Sequence, residues 1–154
     1  MTKDENSIAS LRDCFAGLGL PTVVSEWLCD LFVVIQRIDD IADNGSIPRN
    51  ELNGLLWKSL VSLPANPFFQ QYAHSLIPLL QSAILKWQAS DYVERHGVKE
   101  QLPKAYVWRA GFYDVVLQCF LIIHGEEAAT ADGWKVLAMY GEKMADYLEE
   151  FEHA

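Results

Sequence analysis

A chain of 154 residues, 51% hydrophobic and 21% charged, is long enough to bury a real core and too apolar to remain disordered. Its formal net charge of −9 argues against nucleic-acid or anionic-membrane binding, which draws its affinity from clustered Lys and Arg. The same charge favours attraction of divalent cations.

Periodicity predicts helices throughout. The first runs from about Ser7 to Leu18, with Ile8, Leu11, Phe15 and Leu18 as its apolar stripe and Gly17-Leu18-Gly19 as its end. Pro21-Thr22 opens a second, capped by Thr22 or Ser25, in which Leu28, Phe32 and Ile35 recur at helical spacing. It closes on Ile38-Asp39-Asp40-Ile41-Ala42-Asp43 and stops at Asn44-Gly45, residues that tolerate the left-handed conformation. A third helix is expected over Asn50 to Leu63, with Leu52, Leu55, Leu56, Leu60 and Leu63 facing inward. Asn66 then caps a long fourth helix that starts at Pro67, kinks near Ser75 to Ile77 ahead of Pro78, and ends at His96-Gly97. Pro103 opens a fifth, reaching about His124. After a loop over Glu126 to Ala131, Asp132 caps a last helix to Glu150. No alternation typical of strands, no repeat and no low-complexity stretch interrupts this pattern, so the expected fold is all-α, a single-domain bundle of about six helices over residues 1–154.

Cys14, Cys29 and Cys119 are odd in number, widely spaced and without a Cys-x-x-Cys, as expected of reduced thiols in a core. The polar, acidic start Met-Thr-Lys-Asp-Glu-Asn shows no signal peptide, and the apolar runs read as too short and too interrupted for a membrane span. A soluble, cytoplasmic protein is the expectation.

Candidate chemistry comes from charged residues on apolar rows. Continuing the row Leu28, Phe32, Ile35 places Asp39 and Asp43 on the line that should face the core, while Asp40 falls on a solvated row. The row Ile77, Leu80, Ile84, Trp87 continues to Asp91, and Asp114 shares a row with Val107, Gly111, Gln118 and Leu121. Carboxylates brought together from several helices repel one another unless a cation sits among them, and oxygen-only ligands suit Mg²⁺ or Mn²⁺. The plainer alternatives are an Asp91–Arg95 ion pair one turn apart, and a pairing of Asp114 with Arg109 or with a lysine from elsewhere. Asp39, Asp40 and Asp43 also stand at a helix C-terminus, where the dipole disfavours negative charge by about 0.3–1 kcal/mol per group.

Other residues carry weaker signals. His74 beside Gln70 and Gln71 is a ligand, a base or a surface histidine. Lys104, Tyr106 and Arg109, with Trp108 between, either grip an anionic ligand or balance the aspartates. Gly111 permits close helix packing, and Glu142, Asp146, Glu149 and Glu150 read as a solvated face. Trp57, Trp87 and Trp108 build a core or an interface. No nucleophile motif and no Gly-rich phosphate loop is present.

Asp39-Asp40-Ile41-Ala42-Asp43-Asn44, ending a long apolar helix, resembles the first aspartate-rich motif (Asp-Asp-x-x-Asp) of class I isoprenoid synthases. The likeness covers about a dozen residues, and Arg49 follows in the next loop, roughly where that family carries arginines. It implies that Asp39 and Asp43 ligate Mg²⁺ bridging to a diphosphate-bearing small molecule, with Asp91 or Asp114 as the nearest stand-ins for a second metal motif. Lys104 and Arg109 would then be further ligand-binding cations. A second all-α group, the small Mg²⁺-dependent nucleotide pyrophosphohydrolases, is similar in size, but its Glu-x-x-Glu followed by Glu-x-x-Asp pattern is not present here. The competing expectation is a non-catalytic helical interaction or accessory protein, a homodimer among its possible forms.

Overall fold

The computed structural model describes residues 3–152 and the side chains of 5–151. It is 85% helical, with no strand among the described residues, and the fold is all-α. Eight helices stand where about six are expected: α1 Lys3–Gly17, α2 Thr22–Asn44, α3 Arg49–Trp57, α4 Pro67–His96, α5 Leu102–Trp108, α6 Phe112–His124, α7 Glu126–Asp132 and α8 Met144–Glu152. Two compact units divide the chain, one up to Ala73 and one from His74.

In the first unit the helices form where the apolar spacing places them. Leu11, Phe15 and Leu18 of the α1 stripe are buried, and on α2 the buried line runs through Val24, Trp27, Leu28, Leu31 and Val34. Trp27 stacks on Phe69 with ring centroids 5.4 Å apart and meets Phe68 edge-on at 6.5 Å. Asn66 caps the start of α4 as expected. Its Oδ1 accepts from the Phe68 and Phe69 amides at 2.9 and 3.2 Å, and its Nδ2 donates to the Val23 carbonyl at 2.9 Å, tying the cap to α2. Gly45 ends α2 at φ 79°, a left-handed residue whose amide bonds back to the Ile41 carbonyl.

The third helix departs from expectation. After Trp57 the chain widens into a π-helical turn, Lys58–Ser62, followed by the single turn Leu63–Ala65. Two local causes act together. Pro64 has no amide to offer the Leu60 carbonyl, and Ser59 Oγ donates to the Leu55 carbonyl at 2.6 Å. The wider turn divides the expected stripe. Leu52, Leu55 and Leu63 are half-buried, whereas Leu56 and Leu60 face out.

In the second unit the core is made of Leu76, Leu102, Ala105, Phe112, Val115, Val116, Cys119, Phe120, Val136 and Tyr147. The expected fifth helix is two, α5 and α6, separated by turns at Arg109–Gly111. Gly111 permits the close packing expected of it, because a Cβ there would stand 2.7 Å from Ala83 Cβ and 2.9 Å from Ala83 Cα. Residues 126–131, expected as a loop, are helical instead. Glu126 and Glu127 face the positive end of the α7 dipole, and alanines follow. The expected last helix is interrupted, a short turn Trp134–Leu137 preceding α8, because Tyr140 is drawn onto α5 by a 3.1 Å bond from its hydroxyl to the Tyr106 carbonyl.

The non-helical residue of α4 is Tyr72, at φ −116° and ψ 19°, rather than the expected Ser75 to Ile77. Pro78 frees the carbonyl of His74, two residues beyond Tyr72, so the proline alone does not set the position of this break. By length and composition alone the stretch Lys99–His124 passes the test for a membrane span, as the core helix of a soluble protein also does. Its most apolar window has a mean hydropathy of 1.3 and is 33% buried within the protein, and the turns at Arg109–Gly111 interrupt it, as expected of the apolar runs.

Candidate functional site

The aspartates sit only in part as the rows suggest. On α2 the buried line Val24, Leu28, Leu31, Val34 gives out in the last turns, where Ile38 is 47% exposed and Ile41 half-buried. Asp39 is half-buried and Asp43 exposed. Arg37, on the same helix, lies 3.4 Å from Asp40 and 3.7 Å from Glu51 of α3, so these two neighbouring carboxylates already have a cation beside them. Lys58 bonds Asp30 at 2.9 Å elsewhere in this unit.

In the second unit the rows of Asp91 and Asp114 are mixed: Ile77, Ile84, Val107 and Leu121 are exposed, Leu80, Trp87 and Asp91 half-buried. Asp91 pairs with Arg95 at 2.9 Å, and Asp114, itself exposed, with Lys86 at 2.7 Å. These two are ordinary ion pairs whose charge is met by their own neighbours, and they do not form an open set of metal donors. Among the described residues no group of three or more His, Cys, Asp or Glu is arranged to hold a metal ion. Arg49, His74 and Lys104 are exposed.

Arg109 has a different place from the one expected. It lies 3.7 Å from Glu94, with the two side chains only 20% and 10% exposed, and its guanidinium sits 5.4 Å over the ring of Tyr147. Around this pair gathers a cluster of tyrosines. Tyr106 packs on Tyr140 and Tyr147 at 5.0 and 5.4 Å, and Tyr113 on Tyr140 at 5.5 Å. The Tyr106 hydroxyl donates to the Glu142 carbonyl, and Tyr140 approaches Glu142 Oε2 at 3.2 Å. Glu142, expected on a solvated face, is therefore half-buried and bonded, while Asp146, Glu149 and Glu150 are exposed.

The electrostatics of this cluster keep its phenols neutral. Burial first, then Glu142, holds Tyr140 far above the ordinary phenol value. Burial and the Glu94 charge do the same for Tyr147, with Arg109 opposing. The fully buried Tyr147 hydroxyl makes no hydrogen bond of ordinary geometry. Such groups donate or pack; they do not act as bases near neutral pH. Sequence reasoning singled out Arg109 and Tyr106 but not Glu94, Tyr140 or Tyr147. Their only signal is the i, i+7 spacing of Tyr140 and Tyr147, which is indistinguishable from a plain apolar stripe. The cysteines are no better placed for chemistry. Burial pushes the Cys119 thiol up to about 12 and raises Cys29 against the opposing Arg12 charge. Cys14, by contrast, is exposed.

The most conspicuous surface lies on the first unit. Leu56, Trp57, Leu60 and Val61 are 49%, 65%, 71% and 39% exposed. They follow i, i+1, i+4, i+5 spacing and so form one outward apolar face, partly on the π-helical turn. Trp108 is also exposed and Trp87 half-buried, so two of the three tryptophans expected in a core or an interface stand at the surface. No family model, curated protein or solved structure matches this chain.

Proposed function

We propose that the chain is a non-catalytic helical interaction protein that docks through the outer face of α3 and its π-helical continuation, the first partner being a second copy of itself. The exposed face Leu56, Trp57, Leu60, Val61 carries this reading. Full burial of side chains of this size is worth about 1.5–3 kcal/mol each, and a contiguous apolar face left in water is the usual mark of a protein contact. A helix face can be complementary to itself across a two-fold axis, which makes a symmetric dimer the simplest closed assembly. Irregular π turns also recur at functional positions.

Sedimentation equilibrium over a wide concentration range tests this. The apparent mass is expected to rise above the 17.4 kDa of one chain, and Leu60→Asp, at an exposed position, to hold it there while leaving the helical circular dichroism unchanged. A wild-type protein that stays monomeric throughout, or a variant that associates equally, removes the proposal.

A second reading keeps the diphosphate-binding site at the end of α2, with Asp39 and Asp43 as Mg²⁺ ligands and Arg49 as a further contact. One observation favours it: these two carboxylates lie one turn apart at a helix end that carries no basic residue in its last turn. Bound there, Mg²⁺ would supply Lewis-acid stabilisation of a diphosphate's charge. Isothermal titration of Mg²⁺ with inorganic pyrophosphate is expected to give a saturable heat that Asp39→Ala abolishes. The same heat from both proteins, or none from the wild type, ends this reading.

A further inference from the structure

The second unit has a groove of about 370 Å³ between α4 and α5, within the size range of small-molecule sites. Its apolar wall is Ala89, Val93 and Ala105, and two of these three being alanines is what leaves the space. Trp108, 49% exposed, supplies an aromatic side. The buried Ser90 at its base is already engaged, its Oγ donating to the Lys86 carbonyl at 2.8 Å and lying 3.2 Å from that of Ala105. Polar character at the rim comes from Lys104 and Gln101. Neither side chain has an ion pair or hydrogen bond among the described residues, in contrast to Arg109, Arg95 and Lys86 of the same unit.

We infer that this groove binds a small monocarboxylate with an apolar tail, the chain or ring lying on Ala89, Val93 and Trp108 and the carboxylate meeting Lys104 and Gln101. The donor set matches that head group. One ammonium balances one negative charge, and a carboxamide N–H can serve the second carboxylate oxygen. A dianionic phosphate would leave half its charge unmet. A neutral tail alone would gain nothing from the ammonium at the rim. The groove shares no residue with the α3 face or the α2 aspartates, so it stands whether or not those readings hold.

Decanoate and decanol, both kept below micelle-forming concentration, are the probes, titrated into the full chain and followed by the indole and amide cross-peaks in two-dimensional NMR. Decanoate is expected to bind saturably, at least about tenfold more tightly than decanol, because a charge-assisted contact is lost with the alcohol. Lys104→Met, at an exposed position, is expected to erase that difference without changing decanol affinity. Ala89→Trp, filling the groove from its exposed rim, is expected to remove binding of both probes. Absence of saturable decanoate binding overturns the proposal, as does equal binding of the two probes by the wild type. Unchanged decanoate affinity in Lys104→Met does so too, and this variant decides the matter even if the bulkier one misfolds.

Discussion

Arg109→Met is expected to destabilise the protein by about 3 kcal/mol in urea unfolding, the largest effect of any charge removal in the second unit. Its partner Glu94 is 10% exposed, and removing one member of an almost buried pair strands the other charge in a medium that solvates it poorly, which typically costs about 3–5 kcal/mol. The residual exposure of Arg109 and its 3.7 Å separation from Glu94 place the value at the lower end. Lost stacking over Tyr147 adds to it. Pairing the change with Glu94→Gln is expected to recover much of the loss, because the stranded charge goes with it. The exposed pair Asp91–Arg95 supplies the contrast. Asp91→Asn is expected to move stability by about 0.5 kcal/mol or less, since water already screens that interaction. A small loss in Arg109→Met, equal to that of Asp91→Asn, would sink the assignment of Arg109 as the counter-charge of a buried carboxylate.

Gly111→Val is expected to lower the melting temperature more than any conservative change nearby, and Gly111→Ala to do so by roughly 2–12 °C, for a cost of about 1–3 kcal/mol. The backbone there is ordinary helical geometry, φ −60° and ψ −19°, so no strain attends a side chain as such. The cost arises from contact alone. An added Cβ meets Ala83 Cα at 2.9 Å, a backbone atom that yields only if α4 shifts as a body. Ala83→Gly should therefore restore part of the stability of Gly111→Ala in a double-mutant comparison, read by differential scanning calorimetry. Additive losses would show that the two residues are not in the close contact described.

Much of the secondary structure was legible because each signal is local. The α1 stripe, the Asn66 cap with Pro67 behind it, and the glycine stops at Gly45 and Gly97 each need only a few neighbouring residues to act. Errors arose where distant residues compete with the local pattern. The break between α5 and α6 and the interruption before α8 accompany Gly111 packing on Ala83 and Tyr140 bonding to α5, partners that lie 28 and 34 residues away. The aspartate rows are followed only in part, Asp39 and Asp91 being half-buried and Asp43 and Asp114 exposed, because how far a row stays covered depends on which neighbours reach the ends of each helix.

The sequence by itself determined an all-α, acidic protein, because helical periodicity, capping and composition act over single turns or over the whole chain. The one-turn pair Asp91–Arg95 was legible too, but the pairing of Asp114 with Lys86 was decided only by tertiary structure. So were the burial of Arg109 against Glu94 and the outward exposure of Leu56, Trp57, Leu60 and Val61. A partner on another helix and an apolar side chain's cover are set by where other helices come to lie, and no spacing within one helix carries that information.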